Sequence, residues 1–183
     1  YTTATNQISG TGSNVTVTAT VAANQINSAS FYKSVAAEGV KANSFVKGDM
    51  QNNIMLACTP NVDNGQTDPV NLRFMPVSTV VQFKFKGLYV TSDEPGSDYE
   101  ATPMIIRKVT LTSPDKNIAG TLQLTNITTT WEENGSVASM PTMSLLSSGA
   151  TNSVTVDTRY NDAWVTMGAG ETATVNMFLA IPT

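Results

Sequence analysis

The stretch Val15-Thr16-Val17-Thr18-Ala19-Thr20-Val21 alternates apolar residues with threonines without a break. Neighbouring side chains of a β-strand point to opposite faces, so this pattern predicts a strand with one face in a core and the other in water. The same period of two returns in Val81–Lys86 and in Ala173–Ile181. Alternation near both ends and in the middle of the chain predicts an all-β protein.

Shorter apolar or alternating runs lie between these stretches, separated by proline, glycine or polar residues. They are Ile54–Cys58, Val70–Phe74, Ile105–Leu111, Ile118–Leu124, Ser153–Thr158 and Trp164–Met167. Short strands separated by turns favour an antiparallel β-sandwich over a parallel sheet with helices, and we predict about seven main strands. The chain has 183 residues, a length that fits a single domain, 1–183.

Three segments do not follow the alternation. Ser34–Val46 contains several apolar residues, but Gly39 interrupts it, so we expect at most a short turn of helix there. Thr91–Thr102 and Thr125–Ala150 are long and polar. We expect both of them to be surface loops.

The composition argues against several kinds of chemistry. The chain has no histidine and one cysteine, and 10 basic against 14 acidic residues give a net charge of -4. It therefore offers no imidazole base, no intrachain disulfide and no excess of basic residues for nucleic acid. Cys58 ends an apolar run, which predicts a buried structural thiol. The pairs Asp93-Glu94 and Glu132-Glu133 lie in polar stretches and are interpreted as solvated charge, so we predict a protein without catalytic residues or a cofactor.

The segment Asn61–Asp68 carries oxygen-bearing side chains at alternate positions, as calcium loops do. The closing glutamate of such a loop is missing, and Asn64-Gly65 is a typical two-residue hairpin turn. We interpret the segment as the connection between the strands Ile54–Cys58 and Val70–Phe74. No metal ligand is predicted, and the sequence leaves bound calcium open.

Exposed aromatic side chains would favour carbohydrate binding, and the chain has two tryptophans. Trp164 lies in an apolar run and is predicted to be in the core. Trp131 lies beside Glu132-Glu133 and is the candidate exposed aromatic residue. A glycan-binding domain of a surface lipoprotein is therefore the alternative function, with Trp131 as its contact.

Several segments follow one another in a characteristic order. Pro69–Phe85 contains a V-x-L-x-F run, a short connection and an alternating strand; Asn53–Ala57 precedes it, and Ile106–Ser113, Ile118–Leu122 and Met177–Pro182 follow. This order resembles the fimbrillin family, the pilin subunits of Bacteroides-type bacteria that are also called type V pilins. Many members carry a histidine after the V-x-L-x-F run, where this chain has Met75-Pro76.

The resemblance implies a transthyretin-like sandwich that forms the N-terminal domain of a two-domain pilin. It implies export to the outer membrane as a lipoprotein, with a lipid anchor on the precursor as the only membrane contact, and proteolytic removal of an N-terminal strand before Tyr1. Subunits of such a fimbria assemble as a homo- or heteropolymer by inserting a partner's strand into the vacated groove, and they serve adhesion to a host or bacterial receptor. Val15, Val17 and Val21 are the candidates for the wall of this strand-exchange groove.

Overall fold

The computed structural model of the chain describes residues 7–10, 15–26, 33–34, 52–58, 65, 67, 69, 72, 74–87, 104–127, 140–159, 164–167 and 172–181. Within these ranges there are fourteen strands and no helix, which confirms the predicted all-β class. Seven of the strands have four residues or more, in line with the expected number of main strands. In chain order the strands are β1 (Gln7–Ser9), β2 (Thr16–Val21), β3 (Asn24–Ile26), β4 (Lys33–Ser34), β5 (Met55–Ala57), β6 (Phe74–Pro76), β7 (Thr79–Lys86), β8 (Met104–Ile106), β9 (Lys108–Thr112), β10 (Gly120–Thr125), β11 (Thr142–Leu145), β12 (Ser153–Asp157), β13 (Val165–Met167) and β14 (Thr172–Leu179).

The strands form three larger sheets and two pairs. The first sheet has the order β1-β2-β10-β11, the second β3-β12-β9 and the third β4-β14-β7. The pairs are β13 with β8 and β5 with β6. Among the described ladders only β3 and β12 run parallel, and the other pairs are antiparallel.

Strand β14 is buried on both of its faces. Val175 and Met177 point into one cluster, which we call the first core; it also contains Val154 and Val156 of β12. Phe178 points the other way, into a second core with side chains of β2, β6, β10 and β11. Because successive residues of a strand face opposite sides, β14 separates the two cores and each of its faces is covered.

The outer faces of the first and second sheets carry hydroxyl groups in register across neighbouring strands. The Oγ1 atoms of Thr20 in β2 and Thr121 in β10 are 3.1 Å apart, and those of Thr110 in β9 and Thr155 in β12 are 2.9 Å apart. These pairs satisfy polar groups across the sheet without using charge. The outer faces of these sheets can therefore be polar although only 13% of the residues of the chain are charged.

A buried glutamine joins the second sheet to the third. Gln25 in β3 is 1% exposed, and its Nε2 donates to the carbonyl oxygens of Phe178 at 2.7 Å and Ala22 at 3.0 Å. Its Oε1 accepts the backbone N–H of Phe178 at 3.0 Å. The amide thus pairs with Phe178 as a neighbouring strand would, and it reaches the edge of β14 that faces away from β7.

The predicted loop Thr125–Ala150 is wrong at both of its ends. Thr125 is the last residue of β10, and Thr142–Leu145 forms β11, which pairs with β10. The reason is burial: Met143 is 8% exposed and lies in the second core, and Leu145 packs against it. The four-residue alternation of this strand is too short to stand out in a polar stretch.

The predicted strand Ile105–Leu111 is interrupted at Arg107. β8 pairs with β13, whereas β9 pairs with β12, so the chain changes partners between them. Thr158 donates from its hydroxyl group to the carbonyl of Ile106 and from its backbone N–H to the carbonyl of Arg107. Both carbonyl groups at the interruption therefore have hydrogen-bond partners. As a result Ile106 is buried and Ile105 is 50% exposed, the reverse of the predicted alternation.

The predicted pairing of the segment Ile54–Cys58 with the next strand is present: β5 and β6 pair antiparallel, with Met55 opposite Pro76. Gly65 between them has a φ of 98°, and most of the connection lies outside the described residues. The second strand is described as Phe74–Pro76, while three residues of the predicted Val70–Phe74, at 70, 71 and 73, lie outside the described residues. Met75 is the residue that enters the core, at 3% exposed, and Phe74 is 57% exposed. Thr91–Thr102 and all of Ser34–Val46 except Ser34, which belongs to β4, lie outside the described residues.

Candidate functional site

The outer edge of the first sheet is the part of the structure that relates most directly to the strand-exchange prediction. β2 lies between β10 and β1, with all three strands antiparallel. Five residue pairs join β2 to β10, from Gly120 opposite Val21 to Leu124 opposite Val17. Among the described residues three pairs join it to β1, whose described part begins at Gln7. The pairing with β10 thus runs along most of β2, and the pairing with β1 is described for Thr16–Thr18.

Strand β1 contributes little to the core. Ile8 is its only apolar residue and lies directly opposite Val17, so the two side chains share a face of the sheet. Val17 is half-buried and packs against the second core, yet Ile8 is 76% exposed. Within Gln7–Ser9, the attachment of β1 thus depends on backbone hydrogen bonds, with little apolar burial to support it.

The three predicted groove residues lie in unlike surroundings. Val21 is 2% exposed and belongs to the second core, whereas Val17 is half-buried beside β1. Val15 is half-buried just before β2 begins. Val17 and Val21 lie on one face of β2, Val15 directly precedes the strand, and of the three only Val17 has a described partner in β1. Their role as a groove wall remains a prediction.

Sequence reasoning missed β1 itself. The segment Tyr1–Ser13 reads as polar throughout, and the one signal in it is the single apolar residue of Gln7-Ile8-Ser9. A strand of three residues is too short to show a period. The described part of this edge, Gln7–Gly10 and Val15–Val21, contains no charged side chain, so its pairing should be insensitive to salt.

The prediction for one tryptophan is untested, and the prediction for the other is wrong. Trp131, the candidate exposed aromatic residue, lies outside them. Trp164 is half-buried and not a core residue. The guanidinium of Arg107 lies 4.8 Å from the centre of its ring, a distance at which the cation and the ring attract each other.

Cys58 is less buried than predicted. It is a free cysteine, half-buried, and directly follows β5. Only Leu56 of this short strand packs against the second core, so the apolar run that suggested burial ends before the cysteine.

Because Cys58 is accessible, we expect the folded chain to react with an aromatic disulfide reagent. One thiol per chain should be released without denaturant, at a rate within about tenfold of that in the unfolded chain, because partial burial restricts access without closing it. Absorbance of the released thiolate measures this. A thiol that reacts only after denaturation would contradict the placement of Cys58.

Among the described residues there is no group of three cysteine, aspartate or glutamate side chains that could hold a metal ion. Most of the segment Asn61–Asp68 is outside those residues, so the calcium question is unaffected. In the described ranges, no helix has the length and apolar character needed to span a membrane.

Comparison of the chain with protein-family models, with curated proteins and with solved structures found no significant match.

Proposed function

We propose that this chain is a non-enzymatic structural subunit of a cell-surface fimbria, in which subunits join by strand exchange. Each sandwich is then a rigid domain of the polymer, and neighbouring subunits are joined by backbone pairing along a sheet edge. In this proposal the fold is transthyretin-like, the subunit is exported to the outer membrane, and the polymer serves adhesion.

One observation carries the proposal: Ile8 of β1 stays exposed at the edge of β2. It lies opposite Val17, which packs against the second core, yet it is 76% exposed. An incoming strand that buried an apolar side chain at this edge would gain apolar burial that Gln7–Ser9 does not provide.

Removal of residues 1–10 tests the proposal, since it deletes β1 and leaves β2 with an unpaired edge. We expect the shortened chain to form multimers at micromolar concentration and the intact chain to stay monomeric. Multi-angle light scattering on a sizing column measures the mass of both. The multimers should persist at high salt, because the described residues of this edge are uncharged.

A chain that lacks only residues 1–6 is the matched control, because it keeps Gln7–Ser9 and should behave like the intact chain. Circular dichroism and thermal unfolding check that each variant is folded. A shortened chain that is folded but monomeric over a hundredfold range of concentration, alone and mixed with the intact chain, would contradict the proposal.

A further inference from the structure

The second and third sheets meet around the first core, and among the described residues no strand closes one side of it. β12 and β14 are the middle strands of these sheets, and Val154, Val156, Val175 and Met177 pack between them. β3 lies on one side of β12 and β9 on the other, and β4 and β7 flank β14 in the same way. Gln25 of β3 reaches the edge of β14 that faces away from β7. β3 and β4 therefore lie on one side of the core, and β7 and β9 on the other.

The edges of β7 and β9 form the open side, which we define by their inward residues Val81, Phe83, Phe85, Val109 and Leu111. All five are half-buried and pack against the first core, whereas Val175 and Met177 in the middle of the third sheet are fully buried. Each strand ends its sheet, and no ladder of the described residues joins β7 to β9. The rings of Phe83 and Phe85 are 6.4 Å apart and nearly parallel, so they line this side together.

Strand β7 has the backbone groups that a further strand needs. Phe178 uses its N–H and carbonyl for Gln25 and not for β7, although it lies opposite Val80. Val80 is therefore in a pair without mutual hydrogen bonds, and the N–H and carbonyl groups of every second residue from it point away from β14. Those residues are Val80, Gln82, Lys84 and Lys86. Among the described residues no strand pairs with this edge.

The charge along the edge selects the partner. Lys84 and Lys86 are exposed and lie opposite Thr174 and Thr172, which are uncharged. Lysines at an edge repel a second copy of the same strand. They attract a strand that carries carboxylates on its outward face.

We infer that the open side between β7 and β9 is a second docking surface, and that it takes an extended acidic strand from a partner protein. Apolar side chains of that strand face Val81, Phe83 and Phe85, and its alternate carboxylates face Lys84 and Lys86. The inference goes beyond the proposed function, because it requires neither removal of β1 nor assembly along β2.

The probe is a labelled eight-residue peptide in which valine alternates with glutamate, matched to the length of β7. Fluorescence polarisation should show saturable binding to the intact chain, weakened by salt because the contacts include exposed charges. A peptide of alternating valine and lysine should bind at least about tenfold more weakly. So should a peptide of the same composition as the probe with its four valines placed together, because it cannot present one apolar face.

Two variants locate the surface. Lys84→Glu combined with Lys86→Glu should weaken binding of the acidic peptide about tenfold or more and favour the lysine peptide. Lys84→Pro removes an outward N–H and leaves the pairing with β14 intact, so it should abolish binding of both peptides. Lys116→Glu, in the exposed turn that follows β9 and outside both strands, is the charge control and should leave binding unchanged.

Absence of binding, equal binding of all three peptides, or binding that both variants leave unchanged would overturn the inference. Should the proline variant fail to fold, the double glutamate variant still decides. The chain without residues 1–10 should bind the peptide as tightly as the intact chain. If the acidic peptide does not bind but removal of β1 produces multimers, this surface is rejected and the proposed function is retained. If the peptide binds but removal of β1 produces no multimers, the proposed function is rejected and this surface is retained.

Discussion

Replacing Gln25 with leucine is expected to lower the free energy of unfolding by about 3–5 kcal/mol, a large part of the stability of a domain. The side chain is 1% exposed and makes three hydrogen bonds. Leucine fills a similar volume but leaves the buried N–H and carbonyl of Phe178, and the partly buried carbonyl of Ala22, without this partner. Each such group costs about 1–3 kcal/mol, and local rearrangement offsets part of the sum. Urea unfolding followed by circular dichroism measures the change.

Two further substitutions separate the hydrogen bonds of Gln25 from its bulk. Gln123→Leu makes the same exchange on the outer face of β10 and should change stability by less than about 0.5 kcal/mol. Gln25→Glu keeps the shape but buries a carboxyl group, whose pKa burial raises above its value in the unfolded chain. A raised pKa in the folded state means that stability is retained at low pH and lost as pH rises, so this variant should be most stable in acid. Equal losses for Gln25→Leu and Gln123→Leu would contradict the role given to Gln25.

Replacing Gly120 with alanine is expected to cost about 2–4 kcal/mol. Gly120 begins β10 with a φ of 138°, a conformation that residues with a Cβ rarely adopt. An added Cβ would lie 3.0 Å from the Cα of Ala150 and 3.3 Å from the Cδ1 of Leu145. The backbone on either side of it would have to move, because the nearest atom is part of the main chain. Thermal and urea unfolding both report the loss.

Gly149→Ala is the matched control for backbone conformation alone. Gly149 also has a positive φ, of 73°, but an added Cβ would meet no atom within 4 Å. We expect it to cost about 1–2 kcal/mol, the price of the left-handed conformation. If Gly120→Ala were no more destabilising than Gly149→Ala, the close approach between β10 and the residues before β12 would be wrong.

The strands that sequence predicted well are those that are long and buried on an alternating face. Val81–Lys86 falls within β7 and most of Ala173–Ile181 within β14, because each presents an apolar residue at every second position. Within their described bounds β1, β3 and β4 contain at most one apolar residue each, so no period of two is visible in them. Arg107 shows the other limit: a change of pairing partner shifts the alternation, and the sequence contains no sign of it.

The candidate sites were less predictable, since each depends on contacts between distant parts of the chain. Gln25 reads as an ordinary polar residue, and its partner Phe178 is 153 positions away. The positions of β7 and β9 on the same side of the first core depend on which edge of β14 this glutamine reaches, and the sequence does not contain that information. Val15, Val17 and Val21 were predicted from the pattern of one strand, which could not show that Ile8, opposite Val17, is exposed.

Hydrogen exchange of β2 in the chain that lacks residues 1–10 tests the central claim of strand exchange most directly. In the monomeric fraction, the amides of Thr16–Thr18 that face the missing β1 should exchange freely. In the multimers they should become protected by at least about tenfold, because a partner's strand now pairs with this edge. Protection of Leu122 and Leu124 in β10, which pairs with the other side of β2, should stay constant. Multimers in which the amides of Thr16–Thr18 exchange as fast as in the monomer would contradict the claim.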